Sequence, residues 1–408
     1  MRHPTIRSNK ISRSQRRAKS LEPPMRILVA PSGFKESLGP HEVAECIERG
    51  IRRVIPDAEV RRVPLADGGE GFAHALVEAT KGEMHELTVT GPIGGPVSSH
   101  FGFLGDKDRR TAVVEMAAAA SLALVPKGAR DPTVTTTYGV GELIAAALDQ
   151  GADRIVIGCG DSGTSDGGAG MLQALGARLL DERGEQLPRA AGGRSLVELA
   201  GIDLSDLHPR LKDVEIDVAC NWRNVLCGPK GVARVYGPQK GATPEKVELL
   251  ARALDTYAQV AKSKLGCDIA QMPGSGASGG MGAGLILLGA RLRPRYEAVM
   301  EYFGIGDLFK DCQLVITAEG GIDHQTPQGK IPAEVALRAK AFGIPVIALA
   351  GTVGAGADVN YKAGIDAFTS ILQAPMTLDK AIEEAEDLLT DSAESSMRMV
   401  LVGLTLRI

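Results

Sequence analysis

Arg26-Ile27-Leu28-Val29-Ala30-Pro31-Ser32-Gly33-Phe34-Lys35-Glu36-Ser37 is the stretch from which the fold can be read. An aliphatic run of strand length stops at a proline and a short polar loop follows. Val43, Ile47, Ile51 and Val54 then recur at helical spacing, predicting a helix from about His41 to Val54. The same order repeats at once: a strand near Val60 to Pro64, a loop from Ala66 to Gly71, and a helix ending near Ala79. Strand, loop and helix in alternation predict a parallel α/β sheet.

Further along, the rhythm changes. Leu87 to Thr90, Val97 to Phe103 and Ala112 to Met116 are short β-like runs separated by turn signals at Gly91-Pro92, Gly94-Gly95 and Asp106 to Arg110. They predict an antiparallel meander. The α/β order then returns, with a helix from Gly139 to Gln150, a strand at Arg154 to Ile157 and a helix after Gly167. Another β-run is expected at Val214 to Cys220 and a long amphipathic helix from Thr243 to Leu265. Near the end lie buried-type strands at Leu314 to Thr317, Val346 to Ala350 and Phe368 to Ile371. Their likeness to the first strands suggests one sheet built from both ends of the chain. The expected organisation is a Rossmann-like parallel-sheet domain (25–85 and 300–375) with a second α/β domain (86–299) inserted in the middle. Residues 376–408 are expected as a surface helix and tail, and 1–24 as an unstructured basic extension, with Met25 as an alternative start. Those first 24 residues carry seven Arg or Lys and lack the apolar stretch of a secretory signal.

Composition excludes several classes. A net charge of −4 over 408 residues gives no basic footprint for nucleic acid. No apolar run reaches the ~18 residues of a membrane span. The six cysteines have neither C-x-x-C nor zinc-ligand spacing and read as reduced thiols of a cytoplasmic protein. Fifty residues are glycine, about 12% against a usual ~7%. No strict repeat accompanies them, so the excess sits in loops, and these loops follow strands and precede helices. At the carboxyl edge of an open α/β sheet that is where ligands bind.

Lys35 in the first loop could meet a phosphate, with Ser32 or Ser37 as donors; the plain alternative is Ser37 as a helix cap and Lys35 in solvent. Asp67-Gly68-Gly69-Glu70-Gly71 places two carboxylates among three glycines. Glycine costs backbone entropy and packs nothing, so a metal or a nucleotide phosphate would explain the run better than a turn. Mg²⁺ accepts one or two carboxylates plus water and phosphate oxygens. The densest loop runs from Gly158 to Gly170. It contains the G-x-G-x-x-G spacing at Gly158, Gly160 and Gly163, a weak signal alone. Asp161 and Asp166 within it fit phosphoryl chemistry better than a dinucleotide. Lys240 sits between turn glycines at Gly237 to Ala242. Pro273 to Gly282 is an anion nest or a flexible crossing. Glu319 to Lys330 crowds Glu319, Asp323, Gln325, Thr326 and Lys330 into one loop. His324 there is a lone histidine with no triad around it. Neither a Walker A run nor a protein-kinase signature is present.

Taken together these segments resemble the type I glycerate kinase family. The resemblance rests on Ala30 to Ser37, Pro64 to Gly71, Thr135-Thr136-Thr137-Tyr138-Gly139-Val140-Gly141-Glu142-Leu143, Asp166-Gly167-Gly168-Ala169-Gly170-Met171, Tyr236 to Ala242, and Gln325-Thr326 with Gly329-Lys330. Order and spacing agree from about Met25 to Ile371.

The resemblance implies an enzyme that phosphorylates D-glycerate with ATP and Mg²⁺, giving 2-phosphoglycerate, in a cleft between two α/β domains. Its partners are then small-molecule substrates, with neither nucleic acid nor membrane; a homodimer is allowed. On this expectation Asp67 and Glu70 serve the metal, Asp166 acts as base, and Lys35 and Asp323 complete the catalytic set. Ser32, Ser37, Gly68, Gly69, Gly160, Ser162, Gly167, Gly168, Asn224, Lys240, Gly276, Gly279, Glu319, Gln325, Thr326 and Lys330 contact substrate or nucleotide. Three positions depart from the family's pattern: a carboxylate is gained at Asp161, one is lost at Asn221, and an arginine is lost at Gly321. The rival readings are a kinase of a related hydroxy-acid, a catalytically inactive glycerate-binding sensor and, resting on the glycine fingerprint alone, a dehydrogenase.

Overall fold

The computed structural model describes residues 24–34, 37–65, 69–105, 109–294, 297 and 308–406. Its first sheet has five parallel strands in the order Ala367–Ser370, Val346–Val353, Leu314–Ile322, Arg26–Val29, Glu59–Arg62. Ile27 pairs with Leu314 and Leu28 with Val315, so the two ends of the chain meet at the middle of the sheet, as their shared aliphatic character suggested. Ile27, Leu28, Val29, Val315 and Ile316 are fully buried. Strands covered on both faces read as unbroken apolar runs for this reason.

The second sheet has six strands in the order Arg291–Pro294, Glu215–Cys220, Arg154–Gly158, Thr111–Glu115, Pro96–Phe103, Glu83–Thr90. The first four are mutually parallel. The last two join as an antiparallel hairpin on the edge, and Pro96–Phe103 also pairs antiparallel with Thr111–Glu115, which completes the expected three-run meander. A two-stranded antiparallel ribbon, Arg178–Leu180 with Gly201–Asp203, stands apart.

Helix Phe72–Thr80 links the sheets. Phe72, Ala73, Ala75 and Leu76 share one apolar cluster with Leu28 and Val315 of the first sheet and with Val113, Val156 and Ala219 of the second. The sheets are therefore packed through a common core beneath their loops.

The C-terminal segment is not a surface helix with a tail. Helix Ala385–Thr405 buries Leu388, Leu389, Ala393 and Met397, in one cluster with Val43, Ile47 and Ile51 of helix Pro40–Val54. Arg53 reinforces the contact through Asp391 at 2.8 Å and Glu394 at 3.2 Å. Such exposed pairs add little beside the apolar area, which at about 25 cal/mol per Å² dominates the docking.

Candidate active site

Two cavities open at the carboxyl edges of the two parallel arrays. The first, of about 580 Å³, is walled by the loop after Arg26–Val29, the end of Leu314–Ile322 and the start of helix Ile331–Ala341. Ser32, Gly33, Glu319, Gly321 and Lys330 line it. The second, of about 790 Å³, lies over the mixed sheet and is lined by Arg130, Ser162, Asn221, Asn224, Lys240 and Ser278 among others. Glu70 and Asp161 line both. Their loops touch: the Glu70 amide donates to Oδ2 of Asp161 at 3.2 Å.

Each half of that junction is held from below. Glu115 closes the buried strand Thr111–Glu115 and is 1% exposed. Its carboxylate accepts from the amides of Gly71 at 3.2 Å and Ala73 at 2.7 Å. A carboxylate at the open amides of a helix start is favoured by hydrogen bonding and by the helix dipole. Glu115 thus fixes the turn that presents Glu70. On the other side, the Leu122 amide donates to the Asp161 carbonyl at 2.9 Å and the Gly163 amide to the Ala120 carbonyl at 2.8 Å. Asp161 adopts a left-handed backbone, φ 48°, which Asp tolerates better than most residues.

Lys240 is 2% exposed. Its Nζ donates to Ser162 Oγ at 2.7 Å and to the Thr164 carbonyl at 2.6 Å. Burial pushes its ammonium down to about 7, while the Asp166 charge pulls the other way. The segment beneath it is equally close-packed. Gly279 has φ +70°, and a Cβ there would lie 1.9 Å from the Thr164 carbonyl that Lys240 binds. Only glycine fits that approach. The run around Gly276 and Gly279 is a packed left-handed turn, Ser278, Gly279 and Gly280 in succession, and not a flexible crossing.

Of the expected residues, Ser32, Glu70, Glu319 and Lys330 line the first cavity, and Gly160, Ser162, Asn224, Lys240 and Gly279 the second. Lys330 Nζ donates to the Gly321 carbonyl at 3.0 Å and lies 3.9 Å from Glu319 and 3.8 Å from Asp323. Gln325, Thr326 and Asp323 are not on the wall. Thr326 is fully buried and accepts from the Asp323 amide at 3.0 Å, and Asp323 accepts from the Gln325 amide at 2.7 Å, so they shape the loop that carries Lys330. Ser37 neither caps a helix nor reaches a cavity wall; its hydroxyl donates to the Ile382 carbonyl at 3.4 Å. Gly69, Gly167, Gly168 and Gly276 also lie off both walls. Lys35, Asp67 and Gly68 lie outside the described residues.

Asp166, expected as base, is not brought to either cavity. It is 1% exposed. Its carboxylate accepts four hydrogen bonds: from the Thr137 amide and hydroxyl at 2.8 and 2.9 Å, and from the Gly168 and Gly170 amides at 3.2 Å each. Burial raises its carboxyl above the usual range, against the pull of those bonds. It ties the start of helix Ala169–Ala174 to the Thr137 segment.

Sequence reasoning passed over Arg130 and Glu115. A charge closing an otherwise apolar strand was the available signal for Glu115. Arg130 stood in a run, Lys127 to Asp131, that reads as solvent-facing. Asp161 and Asn221, the two departures of opposite sign that the resemblance implies, line the same cavity.

Among the described residues no group of three or more His, Cys, Asp or Glu is poised to hold a metal. Mg²⁺ needs no such cage, since it takes one or two carboxylates and completes its shell with water and phosphate oxygens. Among the described residues, Glu70, Asp161 and Glu319 face the first cavity against one lysine, Lys330. A polyphosphate there would meet net negative charge, so the donor set suits a divalent cation arriving with the ligand. No helix among the described residues is long and apolar enough to cross a membrane.

Two α/β edges thus carry neighbouring cavities that share a carboxylate junction. The glycerate kinase family profile matches residues 27–401. The chain is 47% identical over 370 residues to the glycerate kinase of Halalkalibacterium halodurans, covering 90% of this chain and 96% of that one. It is 46% identical over 381 residues to the glycerate 2-kinase of Escherichia coli, covering 93% and 99%. A solved structure from Salmonella typhimurium LT2, assigned as glycerate kinase 2, superposes with a TM-score of 0.79 at 44% identity, covering 94% of this chain and 100% of that one. The chain belongs to the glycerate kinase family.

Proposed function

We propose that this chain transfers the γ-phosphate of ATP to a hydroxyl of D-glycerate, with 2-phosphoglycerate as product. Family membership supplies the reaction. The observation that carries the local reading is that two cavities share Glu70 and Asp161 as a common wall. Nucleotide occupies the first, with its phosphates toward Lys330 and the start of helix Ile331–Ala341, where backbone amides favour anions. Glycerate occupies the second. The hydroxyl oxygen bonds to the γ-phosphorus, the bond from that phosphorus to the β,γ-bridging oxygen breaks, and ADP leaves. The hydroxyl proton passes to a carboxylate at the junction, and we assign that role to Asp161. Phosphoryl transfer asks mainly for positioning and charge neutralisation.

Glu70, with Asp67 three residues before it in sequence, would hold Mg²⁺, which neutralises charge developing on the phosphates. We read the five-stranded sheet as a Rossmann-like unit of residues 25–85 and 300–375, with 86–299 as the insertion and the cavity junction as the cleft between them. The six free cysteines, five of them buried, suit a reducing cytoplasm.

A coupled ADP-release assay on glycerate, glycolate, lactate and tartrate tests the substrate. D-glycerate should give the highest kcat/KM. Higher turnover of another acid would move the chain to a related hydroxy-acid kinase, and tight glycerate binding without ADP release would make it a sensor.

A further inference from the structure

We infer that Arg130 is the residue that recognises the substrate's carboxylate and thereby sets the specificity of the second cavity for acids over neutral polyols. The inference rests on the assignment of glycerate to that cavity. Arg130 lines it, is only partly exposed, and its Nε is buried without a hydrogen-bond partner. Its guanidinium makes no hydrogen bond or ion pair among the described residues. Nearly every other buried arginine nitrogen in a protein is satisfied, because stranding one costs about 1–3 kcal/mol. A guanidinium without a protein partner, on a residue that lines a cavity, offers a planar fork that matches the two oxygens of a carboxylate.

Its position is built in. Gly241 has φ +96°, and a Cβ there would lie 2.4 Å from the Arg130 carbonyl and 2.9 Å from its Cβ. The loop that carries Lys240 is therefore pressed onto Arg130. Among the described residues these are the two cations on the cavity wall. Lys240 already donates to Ser162 and Thr164, and burial pushes its ammonium down to about 7. Arg130 is the one whose charge is permanent and whose donors are free.

The cavity is also polar in the electrostatic sense. Glu70 and Asp161 lie where it meets the first cavity, whereas Arg130 lines the second cavity alone. A small hydroxy-acid is then repelled at its carboxylate from the junction and drawn to Arg130. Its hydroxyl is left facing the phosphate donor. Arg130 binds and orients; the reacting atoms lie at the other end.

The test compares D-glycerate with its carboxamide and with glycerol, in the wild type, Arg130→Gln and Arg130→Lys. Arg130→Gln should raise KM for D-glycerate by roughly 10- to 100-fold. It should leave KM for ATP within about twofold and barely change kcat/KM on the amide, so that the preference for acid over amide collapses. Arg130→Lys should recover part of that preference. Melting temperatures of the variants check the fold. An unchanged acid-to-amide ratio overturns the inference, as does a rise in KM for ATP in place of that for glycerate. If the wild type phosphorylates none of the three, the functional reading itself fails, which is a different result from an active enzyme indifferent to Arg130.

Discussion

The backbone amide of Glu70 donates to the side chain of Asp161 across 3.2 Å, although the two stand 91 residues apart in the chain. One follows a strand of the first sheet, the other a strand of the second. Their contact lies where the two cavities meet. Asp161 and Asn221 share the second cavity, so the carboxylate that the resemblance marks as gained and the one it marks as lost lie on one wall. Asp161→Asn should lower kcat by roughly 10- to 100-fold. Asn keeps the left-handed backbone without strain, so unfolding midpoints should not move. The double variant Asp161→Asn with Asn221→Asp should regain part of the lost turnover. Steady-state kinetics on the two variants decide it; a double variant slower than the single one refutes compensation.

Glu115 touches neither cavity, yet it holds the Gly71 and Ala73 amides. Glu115→Gln keeps the shape and loses the charge. It should cost roughly 1–3 kcal/mol in urea unfolding and lower turnover through the misplaced Glu70 loop. Full stability with full activity would show that the turn holds itself.

Lys240 makes stability depend on pH in a defined direction. Its ammonium ionises at about 7 when folded against 10.5 ordinarily. Below pH 7 both states are protonated and the cost of burying the charge is present in full. Between about 7 and 10.5 the unfolded chain binds more protons than the folded one, so stability rises with pH across that window. Urea midpoints measured from pH 6.5 to 9 should climb in the wild type relative to Lys240→Met. Parallel profiles would contradict it.

Asp166 separates a structural role from a catalytic one. Asp166→Asn introduces an amide NH₂ among four inward-pointing donors. It should destabilise the fold by roughly 1–3 kcal/mol. Turnover measured on the folded fraction should fall little. A fully stable variant with collapsed kcat would restore Asp166 as the base.

The first sheet was readable because its three central strands open on unbroken aliphatic runs, such as Ile27 to Ala30 and Leu314 to Ile316, that only a doubly covered position demands. Arg178–Leu180, Gly201–Asp203 and Arg291–Pro294 were not, since three or four residues with charged flanks carry no usable period. The helix Ala385–Thr405 looked solvent-facing because part of its buried face is Thr390, Ser392 and Ser396. At the site, glycine-rich loops announced themselves. What composition could not convey was partnership. Asp166 looks reactive in the chain and is locked in the fold. Arg130 looks solvated in the chain, and in the fold it lines a cavity with its donors free. Both outcomes depend on neighbours remote in sequence.

The central claim is that one site joins nucleotide to glycerate across the Glu70–Asp161 junction. Phosphorus NMR of the wild type with Mg-ATP and D-glycerate reads that transfer directly. The γ resonance should disappear as ADP and a single phosphomonoester of glycerate grow in equal amounts, with the ester on carbon 2. Release of inorganic phosphate in place of the ester, or an unchanged spectrum with glycerate bound, would contradict it.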